Sequence, residues 1–374
     1  MNEKVIKGLS LTLVSFLFLT SGLLLAQSHK EKVLKYLQKE MKEQKIPGLQ
    51  VAVVRNNETI LSEALGLANV PFSVEVTKNT IFSINSIAKA FTATAIMQLV
   101  ENDTLQISAP ISNYLEELPQ NWGQLTIQQL LSHTSGLPDI EDPITGGLIG
   151  GKGQDSAWAK VKKMPLQFNA GEAFNYNATN YLLLQKLVEK FSKNSFEEII
   201  QKKQFDVAGM NKTMFGNSFD VMKNKSPTYS YYYQDKVTGE YSKGNQLLEL
   251  NEEFPTMLRA DAGAFATAED MAKWIVALQT GRFLKEKKHI TSMWTPVKLN
   301  NGTYDGFGGI LNAYALGWPV IDRKSHPAVA LIGGGRASFF IYPKDDLAIV
   351  LFTNLSGSSP HEIIDKLSKF YLSN

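Results

Sequence analysis

Phe82-Ser83-Ile84-Asn85-Ser86-Ile87-Ala88-Lys89-Ala90-Phe91 decides how this chain is read. Ser86 and Lys89 stand three residues apart, and on a helix such residues share a face, so the amine can reach back toward the hydroxyl. A serine hydroxyl is a poor nucleophile until a neighbouring base or charge helps remove its proton. A pair placed at a helix start supplies that help, together with free backbone N–H groups and a partial positive charge. Ser86 is the only serine in the chain with a lysine three residues on. Ala88, Ala90, Phe91, Ala93, Ala95, Ile96 and Leu99 follow it in the pattern of a buried helix. Alone, the pair is also what a surface lysine near a helix-starting serine looks like, so the remainder of the chain has to decide.

At 374 residues the chain can bury a large core, and 44% hydrophobic with 20% charged residues is ordinary globular composition. A net charge of +2, one unit of which comes from Lys4 and Lys7 against Glu3, gives no basic surplus for nucleic acid. The chain has no cysteine, which excludes disulfides, thiol catalysis and lipoprotein attachment. Met1 to Lys7 is basic, Gly8 to Ala26 is an uncharged apolar run, and Gln27-Ser28-His29-Lys30 turns polar. That is the layout of a secretory signal over residues 1–28, with an exported, periplasmic or secreted product. Left uncleaved, the run would extend about 28 Å at ~1.5 Å per residue and tether the protein to a membrane.

Residues 30–45 read as an amphipathic helix ended by Ile46-Pro47-Gly48. Leu49 to Arg55 reads as a strand, Asn56-Asn57 as a turn and Thr59-Ile60-Leu61 as the hairpin partner. The pattern is mainly helical from Thr80 to Asn217, while Tyr229 to Leu250 has no clear period and reads as packing or lid residues. Strands return at Ala328–Ile332, Ser338–Tyr342 and Leu347–Phe352, and a helix over His361 to Tyr371 closes the chain. Strands at both ends around a helical middle predict one sheet from residues 29–78 and 255–374, with a helical insertion over 79–254.

Several further segments fall in a familiar order: Leu130-Leu131-Ser132-His133-Thr134-Ser135-Gly136-Leu137-Pro138-Asp139, Gly171-Glu172-Ala173-Phe174-Asn175-Tyr176, Gly209-Met210, Ala262 to Met271, Gly317-Trp318, and Gly333 to Asn354. With the Ser86/Lys89 pair, the chain resembles the serine β-lactamase and penicillin-binding-protein-like family, in the branch of class C β-lactamases, D-aminopeptidases, DD-carboxypeptidases and esterases. The resemblance implies an α/β fold of the β-lactamase/transpeptidase type, an antiparallel sheet flanked by terminal helices beside an all-helical subdomain, with the site between them. It implies Ser86 as the nucleophile of an acyl-enzyme, Lys89 as its charged partner, and Tyr176 as second base and later general acid. A phenol beside a cationic amine is expected to shift toward phenolate. The oxyanion would be met by the N–H of Ser86 and one from Gly334 or Gly335.

Two positions depart from the family pattern. Tyr176-Asn177-Ala178 puts alanine where Tyr-x-Asn expects asparagine, leaving Asn177 as the nearest amide. The Lys/His-x-Gly motif falls on Leu331-Ile332-Gly333, so the cation that would bind a substrate carboxylate is missing. Arg336 is a candidate substitute, with a surface arginine as the plainer reading. Other patterns read blandly. His133 holds a loop, since no Gly-x-Ser-x-Gly elbow accompanies it. Gly146 to Gly153 lacks the Ser/Thr of a phosphate loop, and His361-Glu362 lacks a zinc partner. Trp318 is expected to line or support the site wall, with packing as the plainer reading. The expectation is a serine hydrolase for a small-molecule or short-peptide ester or amide, without metal or organic cofactor. The alternative is a weakly or non-catalytic binding or sensor protein on the same fold, favoured by Leu331 and Ala178.

Overall fold

A computed structural model of the chain describes residues 27–144, 146–235 and 238–373. The stretch read as an export signal lies outside them up to residue 26. Among the described residues no helix is long and apolar enough to cross a membrane.

The main sheet grows from the predicted hairpin. Gly48–Arg55 turns back into Glu58–Asn69 through Asn56 and Asn57, whose φ angles of 51° and 63° are the left-handed values a tight hairpin needs and asparagine tolerates. The other edge of Gly48–Arg55 pairs antiparallel with Leu347–Thr353, with Leu49 opposite Thr353 and Arg55 opposite Leu347. From edge to edge the sheet runs Val74–Glu75, Glu58–Asn69, Gly48–Arg55, Leu347–Thr353, Ala337–Tyr342, Ala328–Gly333, Pro319–Ile321 and Ala313–Tyr314, eight strands in all. The two ends of the chain therefore meet at its centre. Both central strands are almost wholly buried, which explains their unbroken apolar runs in place of alternation.

Each face of the sheet carries its own core. One face takes the helix over 27–44 and the C-terminal helix Pro360–Ser368, with Val33, Leu37, Ile363, Ile364 and Leu367 against Leu49, Val51, Ile349 and Leu351. The other takes Ala268–Gln279 and, beyond it, the helical layer built on Ala88–Glu101, Ile127–Leu131, Gln154–Val161 and Ala178–Ser192. Ala88–Glu101 is buried continuously from Ala88 to Met97, as its alanine-rich sequence allows.

The structure departs from the sequence reading in three places. The second half of the main sheet starts at Ala313, and residues 255–312 carry the helices Ala268–Gln279 and Lys287–Trp294 instead. Thr228–Gln234 and Tyr241–Leu250, expected to be irregular, form an antiparallel arm joined to Leu355–Ser356. Its strands are largely solvated, so no apolar alternation marks them. Trp318 is fully buried among Trp274, Trp294 and Phe339 and does not line the site.

Candidate active site

Ser86 sits in a single 3₁₀ turn, Asn85–Ile87, that leads into Ala88–Glu101. Asn85 just before it has φ of 42°, a left-handed value uncommon outside glycine. Four groups hold that turn. Ser83 Oγ donates to Asn85 Oδ1 at 2.7 Å, and Asn85 Nδ2 donates to Glu252 Oε1 at 3.1 Å. The Arg336 guanidinium donates to Ser83 Oγ, Asn85 Oδ1 and the Glu252 carboxylate. Arg336 is 1% exposed. It is neither the surface arginine expected nor a substrate-binding cation: its charge is directed under the nucleophile turn and paired with Glu252. The strand Ala328–Gly333 closes the turn from the far side. A side chain at Gly333 would overlap the Ile84 carbonyl at 1.8 Å and lie 3.3 Å from Ser86 N, so only glycine lets the strand end reach the nucleophile. Gly334 and Gly335, with φ of 55° and 62°, then reverse the chain beside it.

Lys89 is fully buried one turn on. Its ammonium donates to Ser86 Oγ at 3.3 Å and to the Asp261 carbonyl at 3.2 Å, and forms an ion pair with Asp261 Oδ1 at 2.5 Å. Its Nζ lies over the Tyr176 ring, 4.4 Å from the centroid, and 5.1 Å from that of Tyr181. Tyr176 stands beside the Ser86 hydroxyl, but its own hydroxyl is held well above the usual phenol range. Burial is the chief cause and the Asp261 carboxylate the next, while hydrogen bonding with Ser86 pulls the other way. The expected drift of Tyr176 toward phenolate is thus corrected: burial first, and the Asp261 carboxylate second, hold the hydroxyl in its protonated form.

Behind Tyr176 the Leu130–Asp139 run forms a wall. His133, with φ of 57°, is fully buried, and its Nδ1 accepts from Asn177 N at 3.2 Å. Burial first, and Lys89 second, keep its imidazole far below the ordinary range and neutral. It holds the loop, as expected. Asn177 caps Ala178–Ser192, accepting from Asn180 N at 3.1 Å and donating to the Leu137 carbonyl at 3.0 Å. Its amide is engaged inside the protein, so Asn177 is removed from the substrate-binding set. Ala178 N donates to Asp139 Oδ1 at 3.1 Å. Burial lifts the Asp139 carboxyl to about 6 and raises that of Glu141, which faces Asp261 and Asp139.

Ser86 and Tyr176 open onto a cleft of about 630 Å³ walled by Phe307, Ile310, Leu311 and Ile332, with His361 and Lys366 at its outer end. Leu331 is 2% exposed and packs in the core, so the strand offers no cation there. Among the described residues no cluster of three or more His, Asp or Glu could hold a metal ion. The structure brings Ser86, Lys89 and Tyr176 together, and sequence reasoning did not single out Asp261, Ser83, Asn85 or Glu252, which lie around them. The single acid at the head of an otherwise apolar Asp261-to-Phe265 run was the available signal for Asp261.

The Beta-lactamase family matches residues 33–371. Protein flp of Staphylococcus aureus strain N315 is 24% identical over 353 residues, 92% of this chain and 67% of that protein. The putative penicillin-binding protein PbpX of Bacillus subtilis is 29% identical over 309 residues, 82% of this chain and 70% of its own length. Among solved structures, the octameric penicillin-binding protein homologue from Pyrococcus abyssi superposes with a TM-score of 0.74 at 25% identity, covering 91% of this chain and 76% of that one. D-amino acid amidase from Ochrobactrum anthropi SV3 gives 0.76 at 20% identity, covering 90% and 98%, and shows the shared fold. A match along nearly the whole described chain, over a sheet, helical layer and Ser86 turn assembled in the expected order, means that this protein belongs to the Beta-lactamase family.

Proposed function

We propose that the protein is an exported serine hydrolase that cleaves a small ester or amide through an acyl-enzyme on Ser86. One observation carries this reading: Lys89 Nζ lies 3.3 Å from Ser86 Oγ, with Tyr176 beside the same hydroxyl at the floor of an open cleft. In the reacting form Tyr176 is a phenolate. Ser86 Oγ attacks the substrate carbonyl while its proton passes to Tyr176. The carbonyl oxygen takes up negative charge beside the Ser86 N–H and the backbone at Gly334 or Gly335. The bond to the leaving group then breaks, and Tyr176 returns the proton to it. Water attacks the acyl carbonyl, gives its proton to Tyr176, and Ser86 leaves with that proton, restoring the start.

The cleft favours substrates whose group beside the scissile bond is apolar and uncharged, given its Phe307, Ile310, Leu311 and Ile332 walls. Where the family's third motif supplies a cation, Leu331 is buried in the core and Arg336 is buried against Glu252, so neither offers charge to a substrate carboxylate. This argues for esters and amides lacking that carboxylate. Relatives named as penicillin-binding protein and D-amino acid amidase put β-lactams and D-amino acid amides in the same screen. The same missing cation and Tyr176's protonated resting state favour a second reading, a sensor that acylates and turns over poorly.

The test is intact mass after a fluorophosphonate, in which Ser86 Oγ bonds to phosphorus and fluoride leaves. One adduct is expected on wild type, none on Ser86→Ala, and slowing of about a hundredfold in Tyr176→Phe, in the usual range for losing a general base. An unlabelled, folded wild type would refute the hydrolase. Labelling without more than one ester turned over per protein would select the sensor.

A further inference from the structure

Asp261 is the one acid inside the catalytic group that the proposed reaction does not use. It meets Lys89 twice, its carbonyl accepting a hydrogen bond at 3.2 Å and its carboxylate forming an ion pair at 2.5 Å. It is 6% exposed. The hydrogen bonds that Lys89 donates go to Ser86 Oγ and the Asp261 carbonyl. The ammonium accordingly sits over the Tyr176 ring and not at its oxygen. We propose that Asp261 is a positioning residue that draws the Lys89 ammonium away from the Tyr176 hydroxyl and so restrains activation of Ser86.

This inference rests on the hydrolase reading, because restraint has meaning only if Ser86 is acylated. The groups around Tyr176 leave Asp261 as the deciding charge. Lys89 is the one cation. His133 is neutral, and Tyr181 and Tyr314 are buried phenols held in their protonated form. Glu141 and Asp139 add negative charge from the loop after the Leu130–Asp139 run, each acting on Tyr176 less than Asp261 does. Removing the Asp261 charge takes an anion from beside Tyr176 and leaves the ammonium a free donor. Both changes favour the phenolate, so the alkaline rise in acylation should move to lower pH.

The experiment is the rate of fluorophosphonate labelling from pH 6 to 10 for wild type, Asp261→Asn and Asp261→Ala. A nearby opposite or like charge typically moves a pKa by about 1–3 units. The rise is therefore expected at least about one unit lower in Asp261→Asn, with roughly tenfold faster labelling on the acidic side of it. An unchanged profile in a folded variant would overturn the inference while leaving the hydrolase standing. No labelling of wild type at any pH would overturn the hydrolase itself. Because the variants lose half of a buried ion pair, a strongly destabilising change, the wild-type tyrosinate absorbance titration, compared with Tyr176→Phe, gives a second reading. A Tyr176 that titrates below the ordinary phenol range would also sink the inference.

Discussion

Arg336 shows how much the Ser86 turn depends on a charged group buried beneath it. Its guanidinium joins Ser83, Asn85 and Glu252 beneath a turn whose Asn85 is held at φ of 42°. Left-handed backbone at a non-glycine residue costs on the order of 1–3 kcal/mol and persists only where its surroundings demand it. Arg336→Met keeps much of the buried stem but leaves the Asn85 and Glu252 oxygens without their fork of donors. The expected result is a stability loss of about 3 kcal/mol, the scale for breaking one side of a buried charged pair, and fluorophosphonate labelling at least about tenfold slower. Arg336→Lys should recover part of the stability and little of the rate, since one ammonium cannot reproduce the planar fork. Labelling at the wild-type rate in a destabilised Arg336→Met would show that the turn holds itself. Ser86, Lys89 and Tyr176 were legible in the sequence because their chemistry is tied to local spacing and to motif order. Asp261, Glu252 and the true place of Arg336 were not, because their partners lie far away along the chain and a charged residue carries no mark of burial.

At the scale of elements, local signals carried well where the chain punctuates itself. The Asn56-Asn57 turn, the three C-terminal strands and the final helix fell within a few residues of their expected bounds, because left-handed asparagines and unbroken apolar runs are read without tertiary context. The Thr228–Gln234 and Tyr241–Leu250 arm was missed because its pairing, not its apolar pattern, makes it a strand pair. The helix Ala178–Ser192 supplies the element-scale prediction. Asn177 closes its first turn by accepting from Asn180 N, and holds the preceding wall through the Leu137 carbonyl. Asn177→Ala should lower stability by about 1–2 kcal/mol, the usual cost of losing such a cap. A rise in the Michaelis constant for the best ester without that loss, measured beside urea unfolding, would return Asn177 to the substrate-binding set from which its hydrogen bonds remove it.

The whole molecule is organised by the seam where Gly48–Arg55 meets Leu347–Thr353. Predicting one sheet from both ends of the chain needed only the order of the elements. Which helices cover which face needed the register, since a strand's two sides are fixed only once its neighbours are placed. The seam separates two cores, and it gives them a common fate: Leu49, Val51, Ile349 and Leu351 face the terminal helices while Ala52, Val54, Ala348 and Val350 on the same strands face the helical layer. Losing one core therefore frees strands that the other core requires. All five tryptophans, Trp122, Trp158, Trp274, Trp294 and Trp318, belong to the helical-layer side, so their fluorescence reports that core directly. Ile364 lies on the opposite face, fully buried on the inner side of the C-terminal helix. Ile364→Ala should cost about 2–5 kcal/mol through lost burial and the cavity left behind. If the sheet couples the cores, the urea midpoint read by tryptophan fluorescence will fall together with that read by far-ultraviolet circular dichroism. A fluorescence midpoint that stays in place while the dichroism splits into two steps would show that the helical layer and its half of the sheet unfold on their own.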